Sequence, residues 1–322
     1  MAHMLAIPHR SPADHYTQTA RSAARRVLRS YSTSFALASS ALPRRIRTHI
    51  EAVYAMVRVA DELVDGAWAT GSPEAVRQEL DRFEAVIARS AADGFSTDLV
   101  AHAFGVTARK TGIGPRQWEP FFASMRTDIL DPAHTVASTP DASAPLTPAA
   151  LSRYVHGSAE VVGEMCVLAF FDGAPLPSDA EDSLLPGART LGSAFQKVNF
   201  LRDIAHDSAR LRRGYLVAPG RAATDFTEEE KNRLVAEVFA ELADAAPAVD
   251  ALPRSVRPAV WTAFGVFADL THRIAETPAH RVAQDRIRVP DPVKLSLAAR
   301  AAAGRPRTSW PGMPVRYSRR SA

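Results

Sequence analysis

The sequence predicts an all-α fold in a single domain. Three observations predict it: apolar residues recur at spacings of three, four and seven, helix-start signals return along the chain, and no convincing strand alternation interrupts them. The first helical stretch falls near residues 16–40. In the next, Ile46, Ile50, Val53, Val57 and Val64 keep to one face. Ser72-Pro73 supplies an N-cap and a first-turn proline, opening a helix through Arg89. Helices are expected near 97–111 and 116–130, and Thr147-Pro148 opens another that continues towards Phe171. A long helix from Ser183 to Arg210 is expected to break at Pro186-Gly187. Thr227 with Glu230 makes a capping box before Leu234, Val235, Val238 and Phe239. The last helices fall near 255–276 and 292–303.

Irregular stretches at Asp131–Pro145, Asp172–Asp179 and Gly214–Phe226 are too short for domain linkers, and no internal repeat of solenoid period is present. One helical domain over residues 16–303 is therefore expected, after a flexible stretch at 1–15. Residues 304–322 mix Pro, Gly, Ser and Arg and read as a basic, disordered tail.

Composition narrows the function classes. With 46% hydrophobic and 23% charged residues, the chain is of globular type, which excludes disordered and fibrous classes. The net charge of +4, concentrated partly towards the end of the chain (Arg300, Arg305, Arg307, Arg316, Arg319, Arg320), suits anionic partners. No nucleic-acid partner is expected, because no recognition motif accompanies the basic tail. The lone cysteine, Cys166, excludes an intramolecular disulfide and sits in an apolar run, as a core residue would. That run is too short to span a bilayer, and the first residues carry charge and proline where a signal peptide needs an apolar stretch. A cytoplasmic protein is expected, with the tail touching the inner membrane face peripherally.

Two acidic motifs carry the chemistry. DELVD holds Asp61 and Asp65, and DIAHD holds Asp203 and Asp207, each pair four residues apart on one helical face. Like charges at that spacing cost a helix a few tenths of a kcal/mol, roughly, unless a cation sits between them. Each pair extends a polar stripe: Tyr54, Arg58, Asp61, Asp65 in one helix and Gln196, Asn199, Asp203, Asp207 in the other. Apolar residues surround both stripes, and buried polar groups need partners. Two stripes facing across a pocket would satisfy one another through bound ions and ligand. Mg²⁺ suits such a site, because it takes carboxylates together with substrate phosphates and water. Arg58 and Arg202 flank the carboxylates, and Arg210, Arg212 and Arg213 follow the second pair. Guanidinium groups offer paired donors to a diphosphate. Carboxylates with metal on one side and arginines on the other describe a diphosphate-leaving-group site.

These residues resemble a known family. Tyr31-Ser32-Thr33-Ser34-Phe35, Leu42-Pro43 and YAMVRVADELVD resemble the N-terminal signature of the squalene/phytoene synthases, and LGSAFQKVNFLRDIAHD resembles their second signature. Tyr154 with Gly163 matches a tyrosine-containing helix between the two, and RIRVPDPVKLSLAARA resembles the closing segment. The resemblance implies an all-α bundle with a central cavity that condenses two identical prenyl diphosphates head to head. Asp61, Asp65, Asp203 and Asp207 would hold Mg²⁺, with Mn²⁺ as a substitute. Tyr31, Ser32, Thr33, Ser34, Tyr54, Arg58, Gln196, Asn199 and Arg202 would contact the diphosphates, with Arg212 and Arg213 beside them. Tyr154 and Tyr215 would shield or steer the cations of the cavity. A cyclopropyl diphosphate would form and rearrange.

Within the family, the resemblance favours phytoene synthesis from geranylgeranyl diphosphate, without NADPH. Squalene or dehydrosqualene synthesis from farnesyl diphosphate is the alternative. A non-catalytic assembly factor with the same fold is disfavoured by intact aspartates in both motifs. A terpene cyclase would suit DELVD but not the second signature.

Overall fold

The structure, a computed structural model, describes residues 11–69, 71–129, 148–206 and 225–314. Helices dominate these residues, and no strand forms among them. In chain order they are α1 (Pro12–Tyr31), α2 (Thr33–Ser40), α3 (Arg44–Val64), α4 (Pro73–Asp93), α5 (Leu99–Thr111), α6 (Pro115–Thr127) and α7 (Pro148–Val155). A π turn, His156–Glu160, joins α7 to α8 (Val161–Phe171). Then follow α9 (Leu184–His206), α10 (Glu228–Ala251), α11 (Arg257–Glu276), α12 (Ala279–Val282) and α13 (Asp291–Ala302).

Side-chain caps fix many of the starts. Ser11 and Ser72 accept the backbone N–H groups of Asp14 and Ala75 at 3.1 and 3.2 Å. Thr227 and Glu230 close the expected capping box, at 3.2 and 2.8 Å. Two apolar cores pack inside the bundle. Met56, Phe104, Phe121 and Phe122 centre one, around α3 to α6 and α8. Val238, Leu242, Trp261 and Phe264 centre the other, around α9 to α11. α9 lies close against the π turn. A Cβ on Gly192 would stand 2.6 Å from the Ala159 carbonyl oxygen, so only glycine fits at that approach.

Four expectations differ from what forms. The stretch 16–40 is two helices, because Ser32 is extended (φ −143°, ψ 108°) and its hydroxyl caps the Phe35 N–H at 3.1 Å. Pro186-Gly187 does not break α9, since the helix starts at Leu184 and proline is tolerated in a first turn. Nor does order end at Gly304. Trp310 is only 4% exposed and packs on Phe264, while Met313 is buried beside it. Arg307 covers the Trp310 ring, its guanidinium carbon 4.6 Å from the centroid. The apolar anchors, rather than the basic composition, decide the course of residues 304–314. At the other end, helix begins at Pro12, inside the stretch expected to be flexible.

Candidate active site

A cavity of about 300 Å³ lies between the two cores. Its walls come from α1, α2, α3, the π turn, α8, α9, α10 and α11. One end is polar, formed by Tyr54 of α3 and by Gln196 and Asn199 of α9. The rest is apolar, and small side chains such as Gly187, Ala245, Ala248 and Ala263 set its far wall. From Gly187 to Asn199 the α9 wall spans about 18 Å at the rise of an α-helix.

Both polar stripes continue outward from this polar end. On α3, Tyr54 is followed by Arg58 and Asp61, and Asp65 caps the helix, donating its backbone N–H to the Asp61 carbonyl at 2.8 Å. Arg58 Nη1 bonds Asp61 Oδ2 at 2.5 Å, and Nη2 bonds Glu62. Its guanidinium also lies 4.3 Å from the centre of the Tyr31 ring. Burial opposes the Arg58 charge, but Asp61 and Glu62 outweigh it and raise its pKa. Burial likewise raises the Tyr54 phenol against the pull of Arg58, so this hydroxyl keeps its proton at neutral pH; it is also hydrogen-bonded with Ser32. On α9, Asp203 accepts from Arg202 Nε at 3.0 and 3.1 Å.

The break at Ser32 bends the chain so that Tyr31, Ser32, Thr33 and Ser34 stand at the α1–α2 junction, beside Arg58 and Tyr54. Tyr154 is placed otherwise than expected. It is buried, donates its hydroxyl to Asp128 at 2.8 Å, packs on Phe200 and does not line the cavity. The tyrosine of α7 thus turns away from the cavity, because a buried carboxylate there accepts its hydrogen bond. Asp207, Arg210, Arg212, Arg213 and Tyr215 lie outside the described residues, as does the side chain of His206.

Sequence reasoning missed several neighbours. Arg286 Nε reaches Asp203 Oδ1 at 2.9 Å, and Lys294 Nζ reaches Thr33 Oγ1 at 3.2 Å. Both lie in the closing segment RIRVPDPVKLSLAARA, whose charge pattern was the available signal. Phe195 and Phe267 stack at 3.9 Å, and Phe35 bridges this pair to Tyr54 at 5.7 and 6.0 Å. An aromatic wall therefore stands next to the polar end. Cys166 lines the cavity, and burial pushes its thiol up to about 12, which excludes a thiolate nucleophile.

The carboxylates fit a hard cation in one way only. Among the described residues no three metal-binding side chains gather as a protein-made site. Asp61 and Asp65 belong to α3 and Asp203 to α9, the two helices that supply the polar end of the cavity, and so small a set of carboxylates suits Mg²⁺ when phosphate oxygens complete its shell.

The sequence model described as squalene/phytoene synthase matches residues 28–292. A bifunctional lycopene cyclase/phytoene synthase of Colletotrichum graminicola is 34% identical over 198 residues, covering 58% of this chain and 32% of that protein. The chain thus spans about a third of that relative's length. The 15-cis-phytoene synthase of Synechocystis sp. is 27% identical over 316 residues, covering 91% of this chain and 88% of that one. Among solved structures, a dehydrosqualene synthase in complex with ligand superposes with a TM-score of 0.72 at 20% identity, over 91% of this chain and 98% of that one. That likeness speaks for the fold. With the family pattern matched along most of its length, the chain belongs to the squalene/phytoene synthase family.

Proposed function

We propose that the protein is a phytoene synthase, joining two geranylgeranyl diphosphates head to head with Mg²⁺. The observation that carries this reading is the cavity itself: long and apolar, it ends between two helices whose next turns present Asp61 and Asp203. An apolar tail would lie along the α9 wall, with its diphosphate held at the Tyr54, Gln196 and Asn199 end. Asp61, Asp65, Asp203 and Asp207 would hold Mg²⁺, which when bound neutralises charge on the departing diphosphate. Arg58, Arg202 and Arg286, each already seated on a carboxylate, would turn their remaining donors to the phosphate oxygens.

The C–O bond of the first substrate breaks, its electron pair leaving with the diphosphate. The double bond of the second substrate attacks the resulting allylic cation, and loss of a proton closes a cyclopropyl ring. A second C–O cleavage, rearrangement and proton loss complete the hydrocarbon. No reductant enters, so the phytoene reaction needs no NADPH. Phe195 and Phe35 line the cavity, backed by Phe267, and would offer aromatic surface to cationic carbon and keep water away. The named relatives support this choice of product.

Product chromatography after incubation with geranylgeranyl or farnesyl diphosphate, with and without NADPH, tests it. Phytoene from the twenty-carbon substrate, independent of NADPH, is the expected result. Squalene or dehydrosqualene as the main product would replace the substrate assignment, and no product from either would support a non-catalytic role.

A further inference from the structure

A second concavity, of about 640 Å³, lies on the face of α3 turned away from the apolar cavity. Ile50, Val53 and Tyr54 of α3 face the cavity, whereas Arg45, Thr48 and His49 face this cleft. Five cations converge there from three helices: Arg21 and Arg25 of α1, Arg44 and Arg45 of α3, and Lys110 at the end of α5. Two carboxylates answer them. Asp172 holds Arg45 Nη2 at 2.5 Å, and Glu51 holds Arg25 Nε at 3.4 Å. Among the described residues Arg21, Arg44 and Lys110 have no carboxylate partner. His49 does not add a sixth cation: it is buried, bonded to Thr107 Oγ1 at 3.1 Å and Asp172 Oδ1 at 3.0 Å, and burial lowers its pKa.

The placement works against the bare protein. Arg44 and Arg45 open α3, where the helix dipole disfavours cations; the N-cap is Pro43, and no side chain caps the first turn. Convergent like charges in a concavity also raise the local potential. The walls are nevertheless held firm. The Asp172–Gly173 corner, in left-handed backbone at φ 52° and 82°, ties Arg45 and His49 of α3 to the end of α5. An ordinary solvated charge run has neither the concavity nor the tied walls.

We propose that this cleft is a second phosphoryl-anion site, separate from the cavity, taking either free diphosphate or the phosphate headgroups of acidic lipid. Such an anion would supply the missing counter-charge to Arg21, Arg44 and Lys110 and an acceptor at the start of α3. Occupancy by diphosphate would make the cleft sense the concentration of a leaving group. Occupancy by headgroups would seat the α1–α3–α5 face on a membrane.

The test compares the full chain with the variant Arg21→Gln/Arg44→Gln/Lys110→Gln. Inorganic pyrophosphate binding is measured calorimetrically without Mg²⁺ and at fixed ionic strength. Sedimentation with phosphatidylglycerol vesicles, against phosphatidylcholine vesicles, is measured alongside. The expected result is binding about tenfold weaker in at least one arm, with turnover on detergent-dispersed substrate unchanged. Loss in the pyrophosphate arm assigns free diphosphate, and loss in the phosphatidylglycerol arm alone assigns the lipid headgroup. Unchanged binding in both arms overturns the proposal. The charge-conserving Arg21→Lys/Arg44→Lys should keep most of the binding, and the single exposed change Arg44→Gln serves if the triple variant melts early; normal binding in that single variant then overturns the proposal.

Discussion

Asp61 and Asp203 are each paired with arginine on their own helix, and Asp203 also with Arg286 from the closing segment. Under the proposed function these carboxylates anchor the ion that neutralises the leaving group, so their effect belongs to turnover more than to folding. Asp61→Asn or Asp203→Asn should keep the helical circular dichroism and reduce turnover by about a thousandfold or more. Steady-state rates at saturating Mg²⁺ decide it, and near-normal turnover in either variant would refute the assignment. His49 makes a prediction of a different kind. Burial lowers its pKa below 6.5, against the pull of Asp172 and with that of Arg21 and Arg45. The unfolded chain therefore takes up the proton first, and stability rises with pH across this range. The contribution is full above 6.5 and is lost as pH falls through the lowered value. Melting temperature should drop on acidification below 6.5, and His49→Gln should flatten part of that drop; His102, whose pKa burial also lowers, keeps the remainder. An identical acid slope in the variant would exclude His49 as the source.

At the scale of elements, α2 and the close approach of α9 to the π turn shape the cavity. Ala38 and Ser39 of α2 line it with small side chains, so the wall stands back from the space a tail would fill. Burying each additional CH₂ is worth about 0.8 kcal/mol, so filling this wall should penalise a twenty-carbon tail more than a fifteen-carbon one. Ser39→Phe should shift the product ratio towards the farnesyl diphosphate reaction, read by chromatography in a two-substrate competition. An unchanged ratio would sink the role of the wall while leaving the site itself untouched. Gly192→Ala would push a methyl group towards the Ala159 carbonyl and should cost about 1–3 kcal/mol by overpacking, measured by denaturant unfolding. Much of this scale was legible in the chain. Ser72, Thr227 and Glu230 announced their helices because capping is local chemistry. The break at Ser32 was not read, although Ser32-Thr33-Ser34 is itself a run of capping residues. An apolar period continuing on both sides concealed the turn in direction. Tyr154 was misplaced for the opposite reason: its partner, Asp128, lies far away in sequence, and no local pattern announces such a pairing.

At the scale of the whole molecule, spacing and polarity put each aspartate motif on one helical face, because each stripe repeats at the helical period, and Tyr54, Gln196 and Asn199 of those stripes line one cavity. The basic cleft could not be foreseen, since Arg21, Arg44 and Lys110 come together only through packing. The same holds for the far end of the chain. No helix among the described residues is long and apolar enough to cross a membrane. Residues 304–314 return to the bundle and lay Trp310 and Met313 over the core of α10 and α11. Composition pointed to a loose basic tail, yet a single buried tryptophan outweighs the arginines around it. Large-to-small changes at buried aromatic positions cost about 3–5 kcal/mol. Trp310→Ala should therefore lower the unfolding free energy by about 3 kcal/mol, and removal of everything from Gly304 onward should cost at least as much. Removal of residues 315–322 alone leaves both anchors in place and should leave the unfolding midpoint unchanged. Denaturant unfolding of the three variants separates these cases. A midpoint for Trp310→Ala equal to that of the unaltered chain would show that this segment is a passive cover and not part of the core.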